Sequence, residues 1–157
     1  MKKLLSVTLV LAMVLSLTLS LVGCLGGGDK YNAIRAAYEE EKWYENKGGW
    51  MYLEMYSTLL PNARQQIETS GVKVCFYQDG GAQVAMIVGF DSEEDLKNAF
   101  NGDSIYSEVM TLFMSDAEHT SFDDVYQAAV DKGYVNGNCL LIPVAYSDRV
   151  VEIFKNA

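Results

Sequence analysis

The single histidine, His119, lies in the densest run of side-chain oxygens in the chain, Asp116-Ala117-Glu118-His119-Thr120-Ser121-Phe122-Asp123-Asp124. Carboxylates in such numbers suit a hard cation, and an imidazole among them could move a proton. Asp116, Glu118, Asp123 and Asp124 are the candidates for a calcium-type site, although no metal site is assigned. The spacing lacks the sharp-turn glycine and the distal bidentate glutamate of an EF-hand loop. One histidine excludes HExxH and multi-histidine zinc sites. The plainer reading is a solvated acidic linker followed by a helix capped by Ser121.

Two cysteines, Cys75 and Cys139, fall in apolar runs that read as strands. Outside the cytoplasm they form a candidate disulfide; otherwise they are small buried hydrophobes. No CxxC pair suggests redox or zinc chemistry. Neither a GxSxG elbow nor a phosphate-binding glycine loop is present. No catalytic residues are assigned and no cofactor is implied, so the expected activity is non-enzymatic. The alternative is a calcium-dependent or hydrolytic module centred on Asp116–Asp124.

Aromatic residues supply the other candidate. Tyr31, Tyr38, Trp43, Tyr44, Trp50, Tyr52 and Tyr56 crowd into a short N-terminal region. Rings at helical spacing usually pack against a sheet. Tyrosine and tryptophan are also favoured at binding surfaces. Tyr38, Trp43, Tyr44, Trp50, Tyr52 and Tyr56 are therefore the candidate surface for an envelope protein, a peptide or a glycan.

The elements that would position these residues begin after a distinct leader. Met1–Cys24 carries two lysines, a long uncharged apolar run and small residues before a cysteine. That pattern is a secretory signal peptide. Its end, Leu21-Val22-Gly23-Cys24, resembles the lipobox of bacterial lipoprotein precursors. The resemblance implies lipidation at Cys24, removal of residues 1–23, and a bacterial-type envelope location on the extracytoplasmic side. The membrane is then a partner through the lipid anchor. A retained helix over 4–23 is long enough to span a bilayer, but no basic cluster follows it. Residues 24–30, with three glycines, read as a short tether, and residues 31–157 as one domain.

The mature part would hold ten of the 12 basic residues and all 21 acidic ones, a formal charge of −11. That sign argues against nucleic acid. All aromatics follow Cys24, ample material for a core.

Tyr31–Asn46 reads as a helix ended by Gly48-Gly49. Trp50–Leu60 gathers Trp50, Leu53, Tyr56 and Leu60 as a helix whose face continues through Leu59, Ala63 and Ile67; a strand is the alternative. Val72–Tyr77 and Ala82–Phe90 predict a hairpin over 72–90, turning tightly at Asp79-Gly80. Asp91 or Ser92 caps the next helix, and Ser104–Ser115 forms another with Ile105, Val109, Leu112 and Phe113 inward. A third, ending at Gly133, carries the stripe Phe122, Val125, Tyr126, Ala129 and Val130. Cys139–Ala145 predicts a strand with Pro143 at an edge or bulge, and Ser147 caps a final helix.

The fold class is α+β: a small, mainly antiparallel sheet, hairpin 72–90 plus strand 139–145, covered by helices. Ile34–Ile67, with Tyr56-Ser57-Thr58-Leu59-Leu60-Pro61, looks like the opening helices of NTF2-like domains, which continue into long curved strands. With Trp50–Tyr56 as a strand, the order is similar to a ferredoxin-like fold. Neither resemblance carries functional residues to this chain.

Overall fold

Five antiparallel strands form one sheet in the order β1-β2-β3-β5-β4 in the computed structural model, which describes residues 28–114, 122–145 and 147–157. The strands are β1 (Tyr44–Glu45), β2 (Lys73–Gln78), β3 (Val84–Gly89), β4 (Val135–Asn136) and β5 (Cys139–Ala145). The helices are α1 (Gly28–Glu40), α2 (Trp50–Glu54), α3 (Ala63–Thr69), α4 (Glu93–Asn98), α5 (Ile105–Phe113), α6 (Phe122–Asp131) and α7 (Asp148–Asn156). The α+β expectation holds. Residues 1–27, with the lipobox and most of the tether, lie outside the described residues. So do residues 115–121, with Asp116, Glu118, His119 and Ser121, and the side chain of Asp123.

The sheet is covered on both sides. α1 and α7 pack together over one face, and Tyr31 lies on Gly89, where a Cβ would fall 2.5 Å from its ring. α2, α3 and α5 pack on one another over the other face, where Phe76 meets Trp50 edge to face at 5.1 Å. β3 runs between β2 and β5, so all six of its residues are buried. Its continuous apolar sequence is what a doubly covered central strand requires.

Serine side chains cap the starts of three helices. Ser92 accepts from the Asp95 N–H at 3.0 Å, Ser104 from Tyr106 at 3.1 Å and Ser147 from Val150 at 3.3 Å. Each satisfies a donor that the first helical turn leaves without a partner. β5 has the expected bounds. Its register against β3 slips between Val84↔Ala145 and Met86↔Ile142, so Pro143 sits in a bulge, where its missing N–H is tolerated.

Several expectations need correction. The first helix begins at Gly28, inside the expected tether, and ends at Glu40, not Asn46. The stop is a Schellman motif without glycine. Lys42 takes the left-handed conformation (φ 63°), its N–H reaches Glu39 O at 3.0 Å, and Trp43 N–H reaches Tyr38 O at 2.9 Å. The Trp43 ring then packs edge to face on Tyr38 at 5.3 Å, the apolar contact that accompanies this cap. The chain is thereby free to form β1, which the periodicity did not show.

Trp50–Leu60 is helical only to Glu54, with successive turns to Leu60. The strand alternative and the ferredoxin-like order that depended on it fall together. The NTF2-like continuation is absent as well, since α4, α5 and α6 follow β3 in place of long strands. The 72–90 hairpin is present, but Gln78 pairs with Val84, leaving five loop residues. The Asp79 carboxylate closes that loop by accepting from Gly81 N–H at 2.9 Å and Gln83 N–H at 3.2 Å. Gly80 and Gly81 are not among the glycines with positive φ, so no primed two-residue turn forms. Val130 is exposed, unlike Val125 and Ala129 of the same stripe, and Leu112 and Phe113 are half-buried.

Cys75 and Cys139 are free thiols. β3 separates their strands, which sets them two strand spacings apart, roughly 9.5 Å or more. A disulfide spans at most about 7 Å between Cα atoms. The candidate disulfide is therefore incompatible with this sheet.

Candidate binding surface

The aromatic group divides into a buried part and an outer part. Tyr31, Tyr38 and Trp43 are core residues. Tyr38 is enclosed completely: its ring stacks on Tyr77 at 5.4 Å, and its hydroxyl donates to Val150 O at 2.6 Å. That bond ties α1 to α7. Burial raises the hydroxyl well above the ordinary tyrosine value, because the interior opposes the phenolate. Tyr38 and Trp43 are thus removed from the candidate surface.

Beside them, a polar network joins α1 to the sheet edge. Arg35 Nε donates to the Tyr77 hydroxyl at 3.3 Å, and that hydroxyl donates to Glu39 Oε1 at 2.6 Å. Arg35 Nη2 also meets Glu45 Oε2 of β1 at 3.1 Å. Burial, then the Glu39 bond, pushes the Tyr77 hydroxyl up to about 12. The hydrogen bond to Tyr77 holds the Arg35 proton above its ordinary value. These bonds link α1, β1 and β2 to one another, which suits a structural tie.

Trp50, Tyr52 and Tyr56 pack against the core and keep only part of their surface exposed. Gly49 lets the Phe76 ring lie against the backbone just before Trp50: a Cβ there would fall 2.1 Å from that ring. The Arg64 guanidinium lies over the Trp50 ring at 5.4 Å and is itself held by Glu54 at 2.8 Å and Glu68 at 3.0 Å. Tyr56 meets Phe113 edge to face at 4.9 Å. Only Tyr44 of the six candidates is largely exposed.

The exposed apolar surface is elsewhere in the same segment. Met51, Met55 and Leu59 are 56, 74 and 64 % exposed. Met55 N–H is bonded to Met51 O at 3.1 Å, so these two stand one turn apart, and Leu59 follows in the tighter turns after the helix, whereas Leu53 and Leu60 of the same segment are buried. Leu59, expected inward, is therefore outward. The helix ends at Glu54 and the tighter turns that follow shift the phase, so Leu60 takes the core position. The signal was legible: with Trp50, Leu53, Tyr56 and Leu60 assigned to one side, Met51 and Met55 had to face the other.

Catalytic and metal candidates gain no geometry. Burial pushes the Cys75 thiol up to about 11 and Cys139 up to about 12, so neither presents a thiolate at neutral pH. Among the described residues, no three His, Cys, Asp or Glu side chains are grouped to hold a metal ion. Of the calcium-type candidates only Asp124 has a described side chain, and it is exposed on α6. Nor is any helix among the described residues long and apolar enough to cross a membrane.

No protein family matches the chain, and no curated protein or solved structure does so.

Proposed function

We propose that this chain is a lipid-anchored extracytoplasmic lipoprotein that works as a non-enzymatic binding module. Its docking surface is the ridge Met51, Met55 and Leu59, and its partner is a protein of the envelope. The observation that carries this reading is the exposure of three large apolar side chains in sequence along one segment. Isolated exposed hydrophobes need no explanation, but three large ones within residues 51–59 cost solubility and suit a surface that meets another. Methionine suits such a surface, being flexible and polarizable. The same segment carries charge as well, Glu54 being paired with Arg64 and Arg64 with Glu68, and docking surfaces commonly set an apolar centre within a polar border. A glycan would need a row of hydrogen-bonding groups, and the ridge side chains offer none. An apolar protein surface is the matching partner.

The anchor rests on Leu21-Val22-Gly23-Cys24. Two acyl chains at Cys24 would hold the domain stably at the membrane, where one chain is marginal.

The test places a photoreactive residue in the full-length chain in living cells, at Met55 or at exposed Glu40. The expected result is a discrete protein adduct from position 55, absent from position 40 and lost when Met51→Lys is added. The same adducts from both positions, or none from position 55, would remove the ridge from consideration. Separately, Cys24→Ser should abolish fatty-acid labelling and leave uncleaved precursor. Normal labelling of that variant would end the lipoprotein reading while leaving the ridge standing.

A further inference from the structure

Asn-Gly and Asp-Gly pairs can rearrange without an enzyme. The glycine has no Cβ to crowd its nitrogen, which can therefore reach the side-chain carbonyl carbon of the residue before it. The chain has three such pairs, Asp79-Gly80, Asn101-Gly102 and Asn136-Gly137, and the fold holds them differently. Asp79 is restrained: its carboxylate accepts from Gly81 N–H at 2.9 Å and Gln83 N–H at 3.2 Å, and an ionised carboxylate is a poor centre for attack. Asn136 is restrained as well. It is half-buried, pairs with Cys139 in the β4–β5 ladder, and its side-chain amide donates to Phe154 O at 2.6 Å. Turning that side chain toward Gly137 breaks the bond.

Asn101 lacks such ties. It is exposed between α4 and α5, and its amide meets Asn98 Oδ1 at 3.4 Å, a long contact that holds little. The Gly102 N–H has no hydrogen-bond partner among the described residues. Gly102 takes a left-handed conformation (φ 68°), and nothing lies within 4 Å of where a Cβ would stand. The attacking nitrogen and the attacked carbon are thus both open, in a bend that no strand ladder fixes.

We propose that Asn101 is a site of spontaneous covalent modification, converting to aspartate and isoaspartate through a cyclic imide with Gly102. The Gly102 nitrogen bonds to Asn101 Cγ, and the bond from Cγ to the side-chain nitrogen breaks. That nitrogen leaves as ammonia, taking the proton from the Gly102 N–H. Water then adds to the imide, its hydroxyl going to a carbonyl carbon and its proton to the ring nitrogen. Opening at Cγ gives aspartate. Opening at the main-chain carbonyl gives isoaspartate, with the backbone rerouted through Cβ and Cγ. No oxidant or reductant takes part. Either product makes the chain one charge more negative, beside Asp103. Isoaspartate also lengthens the main chain by a methylene just before Ser104, whose hydroxyl caps α5 and donates to Ala99 O. This site is separate from the Met51–Leu59 ridge and stands or falls without it.

The test incubates the full-length chain at neutral pH in water enriched in the heavy oxygen isotope, either folded or unfolded in guanidinium. Peptides spanning each pair are then followed by mass spectrometry, with aspartyl and isoaspartyl forms separated by chromatography. In the folded chain Asn101 should take up the isotope as a mixture of aspartate and isoaspartate. It should do so about tenfold faster than Asn136, where a hydrogen bond must break first. Unfolding removes that bond, so the two rates should converge. Asn101→Gln should abolish conversion at this position over the same period, because the larger ring it would need closes far more slowly. An Asn136 that keeps pace with Asn101 in the folded chain, an Asn101 that converts only when unfolded, or aspartate formed without isoaspartate would overturn the proposal.

Discussion

Residues 31–43 and residues 50–60 are both rich in aromatic and apolar side chains, and the fold treats them oppositely. In the first, Tyr31, Ile34, Tyr38 and Trp43 are all buried. α1 lies on the sheet, α7 lies beside α1, and the cap at Lys42 folds Trp43 back onto Tyr38. In the second, the helix lasts five residues, Leu53 and Leu60 are buried, and Met51, Met55 and Leu59 stay in water. The difference lies in how much surface each segment meets. A long helix laid on a sheet buries one continuous stripe. A short helix that breaks into turns can satisfy only one side of its apolar content. Aromatic density alone does not locate a binding surface; the surplus left over after packing does.

Truncation should separate the two regions most strongly. Tyr38→Ala removes a fully buried ring, its stack on Tyr77 and the bond to α7, and should cost about 3–5 kcal/mol. Met55→Ala removes an exposed side chain and should stay within about 0.5 kcal/mol. Urea unfolding of the full-length chain measures both. Similar losses for the two would mean that the ridge is covered within the chain, and the docking surface would be lost with it.

Overpacking gives the next largest effect. Gly89→Ala places a methyl group into the Tyr31 ring and should cost about 1–3 kcal/mol. Adding Tyr31→Leu, which withdraws the ring, should recover part of the loss. A Gly89→Ala protein as stable as wild type would show that α1 can lift from the sheet, and the contrast between the two regions would weaken.

Alkaline pH acts on the same face. Cys75, Cys139 and Tyr77 hold their protons to about 11, 12 and 12 in the fold. The unfolded chain releases them at about 8.5 for thiols and 10 for the phenol. Below those values both states are protonated and this stability is present in full. Above them the unfolded state binds fewer protons, so stability falls as pH rises toward the folded values. Urea midpoints should be level from pH 6 to about 8 and decline beyond. Replacing both cysteines by alanine should remove the part of the decline that begins near the thiol value. A flat profile to pH 11 would contradict the burial of these groups beneath α1 and α7.

Much of the fold was legible because single residues announced it. Ser92, Ser104 and Ser147 marked helix starts, Gly133 marked a helix end, and Pro143 required a bulge. Gly133 and Lys42 do the same work in the same left-handed conformation. Glycine advertises that conformation and lysine does not, so α6 ended where expected and α1 did not. β4 precedes Gly137, a turn residue with positive φ, but two residues are too few to show the alternation of a strand. The separation of Cys75 from Cys139 could not be read, because it depends on which strand lies between them.

The smallest effect concerns how the second region is held. Where α1 is fixed by buried rings, Trp50 is covered by a surface cation, Arg64, clamped between Glu54 and Glu68. Exposed ion pairs contribute little and are screened by salt. Arg64→Ala should therefore leave global stability almost unchanged while opening the outer face of Trp50. The expected readout is a red shift of tryptophan emission, with Trp43 as an internal reference that does not move because it is buried. In wild type, 1 M salt should reproduce part of that shift, and in Arg64→Ala salt should add nothing. If Arg64→Ala leaves emission unchanged, Trp50 is held by Phe76 and Gly49 alone, and residues 50–60 are as firmly seated as α1. If the shift occurs, the segment is pinned at Leu53 and Leu60 and loosely clasped above, which leaves Met51, Met55 and Leu59 free to adapt to a partner's surface.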